Sequence, residues 1–112
     1  DQRRFSEARG FYKLATENAS DEYAAEAQFR LGESHAAESN YADASVEFLK
    51  IRYLYGAHLQ WVVPAVYHAG RANEKLEKWG EARKLYRALL TDYQDERFQE
   101  LAKERLRAIE LN

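Results

Sequence analysis

The sequence predicts an all-α fold, and two observations carry the prediction: the residue composition and a long-period internal repeat. Eighteen of the 112 residues are Ala, whereas Val, Ile and Thr together number eight. Ala and the straight-chain residues lose little conformational freedom in a helix, while strands draw on β-branched side chains. The repeat then sets the helices in order along the chain.

Tyr23-Ala24-Ala25-Glu26-Ala27-Gln28-Phe29-Arg30-Leu31-Gly32 matches Trp61-Val62-Val63-Pro64-Ala65-Val66-Tyr67-His68-Ala69-Gly70 in its aromatic, Ala, aromatic and Gly positions, 38 residues apart. The same offset relates Tyr41 to Trp79, Ala44 to Ala82, Phe48 to Tyr86, Ile51 to Leu89 and Tyr55 to Tyr93. Upstream, Phe5, Ala8 and Tyr12 precede Tyr41, Ala44 and Phe48 by 36; downstream, Phe98 and Ala102 follow Trp61 and Ala65 by 37. Self-similarity at such a period is the mark of a repeat architecture. The organisation read from it is a half repeat over 4–18, full repeats over 22–55 and 60–93, and a terminal helix over 96–110.

Each repeat reads as two helices. The first spans 22–38, then 62–76, then 96–110; the second spans 4–18, 41–54 and 79–93. Tyr41, Ala44, Phe48 and Ile51 recur at steps of three and four, the spacing of one helix face. Asp21, Asn40 and Asp95 stand where N-caps are expected. Pro64 is expected in the first turn of its helix, where a missing N–H costs nothing. Gly32 and Gly70, with Ala44 and Ala82, are expected where two helices approach closely, with Phe48 and Tyr86 filling the space between hairpins. A single hairpin cannot bury its apolar face, so neighbours stack into a helical solenoid.

Composition also excludes. Lys and Arg number 17 against 19 Asp and Glu, a net charge of −2, which lacks the cationic footprint of a nucleic-acid binder. No apolar run approaches the about 20 residues of a membrane span. Without Cys there is no disulfide, thiolate nucleophile or thiolate metal site. The chain begins at Asp1 and has no Met, so it reads as a piece of a longer protein.

The repeat resembles the tetratricopeptide repeat on Leu31-Gly32, Tyr41, Ala44 and Phe48, and again on Gly70, Trp79, Ala82 and Tyr86. Departures are the 38-residue period, His35 and Asn73 in a usual aromatic position, Gly56 and Gln94 for a terminal Pro, and Ile51 and Leu89 for a usual Ala. In these departures, and in the Tyr55-Gly56 and Tyr93-Gln94 endings, the chain is similar to bacterial envelope members of the family. Those are the TolA-binding coordinator protein and the lipoprotein of the outer-membrane β-barrel assembly machinery. The resemblance implies a right-handed superhelix of antiparallel hairpins, a non-catalytic role in protein–protein interaction, and a periplasmic or envelope location.

The residues themselves offer no catalytic constellation. Gly32-Glu33-Ser34-His35-Ala36 lacks the strand-to-helix turn and second Gly of a nucleophile elbow. His35, His58 and His68 have no metal-ligand spacing, and the carboxylates read as solvated helix faces. The five glycines are scattered, so no phosphate loop exists. We therefore expect no enzyme activity, no cofactor and no metal. Asn18-Ala19-Ser20 is a formal glycosylation sequon.

Two regions are expected to matter for function. The family's concave face, carried onto this chain, is Glu26, Phe29, Glu33 and Ala37, then Pro64, Tyr67, Arg71, Glu74 and Lys75. Phe29 and Tyr67 would serve there as aromatic platforms beside Glu33 and Arg71. The groove would hold a peptide or helix of a protein partner. Second, Tyr53, Tyr55, Leu59 and Trp61, continuing into Val62 and Val63, form either core under a longer turn or an exposed docking patch. Self-association and service as an accessory domain of an enzyme are the alternative roles.

Overall fold

In the computed structural model, residues 2–18 and 21–110 are described. Six helices follow one another: α1 (Gln2–Asn18), α2 (Asp21–Ala37), α3 (Tyr41–Leu54), α4 (Leu59–Lys75), α5 (Trp79–Thr91) and α6 (Glu96–Glu110). The described residues contain no strand, so the fold is all-α and repeat-like. Each helix packs on the next, and α4 also touches both α2 and α6; no such contact links α1, α3 and α5 to one another. The molecule measures 40 × 31 × 19 Å, and its least dimension is about two helix diameters.

The matched glycines have matched surroundings. A Cβ on Gly32 would lie 2.6 Å from Cε1 of Phe48, and one on Gly70 would lie 2.6 Å from Cε1 of Tyr86. Ala44 and Ala82 are fully buried beside them. The aromatic ring of the second helix thus sits on the bare backbone of the first, which sets the spacing of both hairpins. Ile51 and Leu89 are buried one turn further on. Phe29, Val62, Val63, Ala65, Val66, Tyr67 and Ala69 join these residues in one continuous core that reaches Ala102 and Ile109.

The turns repeat as closely as the helices. Ser39 and Glu77, 38 residues apart, both take the left-handed conformation, with φ of 64° and 57°. Asn40 N–H donates to the His35 carbonyl at 2.8 Å, and Lys78 N–H to that of Asn73 at 2.9 Å. These bonds span six residues and close each helix in the Schellman manner, normally around Gly. Neither turn carries Gly or Asn at the left-handed position, so composition gives no sign of the motif.

Several boundaries differ from expectation. α4 begins at Leu59, with the His58 carbonyl accepting from Trp61 and Val62. Pro64 is therefore its sixth residue, inside the helix rather than in the first turn. The carbonyl left without a donor is that of Gln60, an exposed residue whose backbone water can serve. Asn40 occupies the N-cap of α3 but makes no side-chain cap; its amide reaches Glu38 at 3.3 Å instead. Asp95 does cap α6, its Oδ1 accepting from Phe98 N–H at 3.0 Å. Ser20 and Ala19 of the sequon fall outside the described residues.

Candidate binding groove

Where α2 and α4 run side by side, their C-terminal halves leave a hollow of about 350 Å³. Glu33, Ala36 and Ala37 come from α2, and His68, Arg71, Ala72 and Lys75 from α4, with Tyr41 and Phe48 of α3 behind them. Four of the expected groove residues, Glu33, Ala37, Arg71 and Lys75, therefore meet at one place. The wall is largely apolar and the charges stand at its edge.

The aromatic platforms do not form. Phe29 and Tyr67 are buried, at 5% and 9% exposure. The Phe29 ring packs on Phe48, Trp61 and His68 at centroid distances of 5.4–5.6 Å. Tyr67 packs on His68, Tyr86 and Phe98. Both rings cement neighbouring hairpins, and the aromatic surfaces that reach the hollow belong to Tyr41, Phe48 and His68. Burial pushes the His68 imidazole below its ordinary pKa, with Glu33 opposing and Arg71 reinforcing the shift.

Glu74 is also displaced from its expected role. Its carboxylate is buried and accepts from Arg105 Nε at 2.9 Å and Nη2 at 2.6 Å. It also accepts from the Tyr86 hydroxyl. Burial alone would raise its pKa, but the hydrogen bonds from Arg105 and Tyr86 and the charges of Arg105 and Arg71 outweigh this and hold it low. Burial, then the hydrogen bond to Glu74 and its charge, raise the Tyr86 phenol against a smaller opposing effect of Arg71. Glu74 is thus a tie between α4, α5 and α6 rather than a groove charge. Glu26 is half-buried, 3.7 Å from Arg30 of its own helix, and borders α1 at Phe11 and Tyr12 rather than the hollow between α2 and α4. Pro64 is half-buried within α4.

The expected docking patch divides. Tyr53 and Leu59 are exposed at 78% and 52%, with Leu54 beside them at 61%. Tyr55 and Trp61 pack against the core, and Trp61 lies under the Arg30 guanidinium at 5.7 Å. Val62 and Val63 are core. The segment is therefore core at Tyr55, Trp61, Val62 and Val63 and exposed surface at Tyr53, Leu54 and Leu59.

Ser34 of the elbow-like sequence lies within α2, and its hydroxyl donates to the Phe5 carbonyl at 3.3 Å. Among the described residues no three His, Asp or Glu side chains converge as a metal site, and no helix is long and apolar enough to cross a membrane.

A second hollow, of about 500 Å³, separates α3 from α5 above Asn73. Asn73 donates to Ser45 Oγ at 3.0 Å and to the Ala69 carbonyl at 2.9 Å, so its amide is committed. This hollow is lined mostly by polar residues, among them Arg52, Lys78, Glu81, Lys84 and Asp92. Polar walls suit water better than an anchor side chain. Comparison of the chain with family models, with curated proteins and with solved structures finds no match.

Proposed function

We propose that the chain is a non-catalytic protein–protein interaction scaffold of the tetratricopeptide kind. In this reading α2, α4 and α6 form the inner face of a right-handed solenoid and hold a peptide or helix of a partner. The observation that carries it is the hollow between α2 and α4. It is apolar, rimmed by Glu33, Arg71 and Lys75, and it lies on the side where alternate helices touch each other. In a curved stack the inner helices are the ones that crowd together, so the contacts of α4 with α2 and α6 support a concave inner face. A pocket with apolar walls and a few convergent polar groups is the usual form of a recognition site.

The test is selection of a random dodecapeptide library on the chain. Selected peptides should lose at least tenfold in affinity to Arg71→Glu with Lys75→Glu, while the thermal melt of that variant stays within a few degrees of the parent. Selection that yields no binders, or binders indifferent to the pair, rejects the groove.

Self-association is the second reading, favoured by Phe11, Leu14 and Tyr23, exposed at 59–68% on α1 and the start of α2. Head-to-tail stacking of copies would set α6 against α1 as a hairpin. Arg107 then stands where Gly32 and Gly70 stand in the two hairpins, so that particular stack is blocked. Sedimentation equilibrium across a hundredfold concentration range tests the rest; a monomer throughout excludes it.

A further inference from the structure

The two sides of α4 treat equivalent space differently, and the difference points to a ligand. Between α4 and α6, Glu74, Tyr86 and Arg105 fill the junction with hydrogen bonds. Their counterparts one repeat earlier are Ala36, Phe48 and His68, and all three line the hollow. At neutral pH none of them carries a charge to send across it, so the space stays open and its wall apolar.

The rim is not electrically balanced. The Glu33 carboxylate is engaged by Arg30 at 2.8 Å. Among the described residues the ionic contact of Arg71 is with Glu74 at 3.5 Å, and Glu74 already holds Arg105 in a closer, two-point contact. Arg71 Nε is buried without a hydrogen-bond acceptor. Lys75 is exposed and has no ion pair among the described residues. Two under-used cations therefore stand on α4 at one edge of an apolar hollow.

We propose that this hollow receives a bulky apolar side chain of a partner peptide, with an adjacent Asp or Glu side chain pairing with Arg71 and Lys75. This rests on the groove reading above and specifies its ligand. The apolar side chain leaves water against Ala36, Phe48 and His68. The carboxylate supplies the acceptor that Glu74 gives Arg105 next door, in the charge-assisted form that is strongest for a guanidinium. Placing the charge at the rim and the apolar group inside avoids burying an unpaired ion.

The test is titration of the ¹⁵N-labelled chain with acetyl-Glu-Leu-Glu-amide, followed by amide shifts. Saturable shifts are expected at Glu33, Ala36, His68, Arg71 and Lys75. Acetyl-Gln-Leu-Gln-amide and acetyl-Glu-Ala-Glu-amide should each bind at least fivefold more weakly. Arg71→Gln with Lys75→Gln, both at the rim, should erase the preference for Glu over Gln. The triple variant Ala36→Glu, Phe48→Tyr, His68→Arg copies the filled junction into the open one and should abolish binding with helicity retained; if it fails to fold, the rim pair still decides. Equal binding of the Glu and Gln peptides, shifts centred elsewhere, or no saturation overturns the proposal. If library peptides still bind this face in that event, the ligand assignment falls alone; if they do not, the groove reading falls with it.

Discussion

The junction of α2, α3 and α4 and the junction of α4, α5 and α6 are built on one plan and finished in two ways. Each has a glycine under an aromatic ring, a buried Ala beside it and a left-handed residue in its turn. Behind that frame, one junction carries a buried carboxylate clasped by Arg105 and Tyr86, and the other carries Ala, Phe and His around open space. The steric frame fixes how far apart the helices lie, so it cannot vary between copies. The positions behind it do not set the spacing, so they are free to seal the junction or to leave it open for a ligand.

The largest expected difference lies at the clasp. Removing one partner of a buried ion pair strands the other, at a cost of about 3–5 kcal/mol. Arg105 is 30% exposed and recovers some hydration, so Glu74→Ala is expected near the low end, about 3 kcal/mol. The reciprocal change, Ala36→Glu, places a carboxylate opposite His68 rather than Arg and gains nothing of that kind. Urea unfolding of the two variants checks this. A cost for Glu74→Ala below about 1 kcal/mol, the range of a surface pair, would break the contrast between sealed and open junctions.

The glycines sharpen it. Ala at either position gains about 1 kcal/mol of helix propensity but drives a methyl into a ring at 2.6 Å, and overpacking of that sort costs about 1–3 kcal/mol. Phe48 borders the hollow and can yield into it. Tyr86 is fully buried and tethered to Glu74, so it cannot. Gly70→Ala is therefore expected to destabilise by about 2 kcal/mol net and Gly32→Ala by less than half of that. Equal losses by thermal melt would mean that the hollow gives the Phe48 ring no room.

Much of this frame is legible in the sequence because steric complementarity leaves a pairwise trace. Gly32 with Phe48 and Gly70 with Tyr86 recur at one offset, as do Ala44 and Ala82. The groove is less legible. Phe29 and Tyr67 look alike as ligand platforms and as core rings, since periodicity gives the face of a helix but not how deeply a neighbour covers it. Glu74 is hidden for a similar reason: its partner Arg105 lies 31 residues away, and no local spacing links them. The contrast of Ala36, Phe48 and His68 with Glu74, Tyr86 and Arg105 is present in the aligned repeats, and reading both columns together was the signal that could have found the hollow.

The turns offer a smaller effect. Ser39 and Glu77 hold left-handed φ with a Cβ in place, a conformation that costs a non-glycine residue about 1 kcal/mol. Glycine there is expected to stabilise each hairpin by about 0.5–1 kcal/mol after its own entropy loss is counted. Ser39→Gly and Glu77→Gly should raise the melting temperature by similar amounts, because both turns make the same six-residue bond. A gain at one turn only would show that the two hairpins close differently, against the shared plan.

The smallest effect separates the junctions by pH. A folded pKa held below its unfolded value means the native state binds fewer protons, so the stability linked to it is present above the unfolded pKa and lost as pH falls through the folded one. His68 is lowered by burial, from a reference near 6.5. Glu74 is lowered from a carboxylate reference about two units further down. Between pH of about 6.5 and about 4.5 the open junction alone should therefore weaken, as protonation places a cation between Phe29 and Phe48 beside Arg71. The ring is only partly covered and Glu33 opposes the shift, which keeps the effect small. Proton NMR titration should give His68 a midpoint below the ordinary imidazole value of about 6.5, and the acid-side loss above about pH 4.5 should vanish in His68→Phe. A His68 midpoint above about 6.5 would reverse the sign and place the pH response of the chain outside this junction.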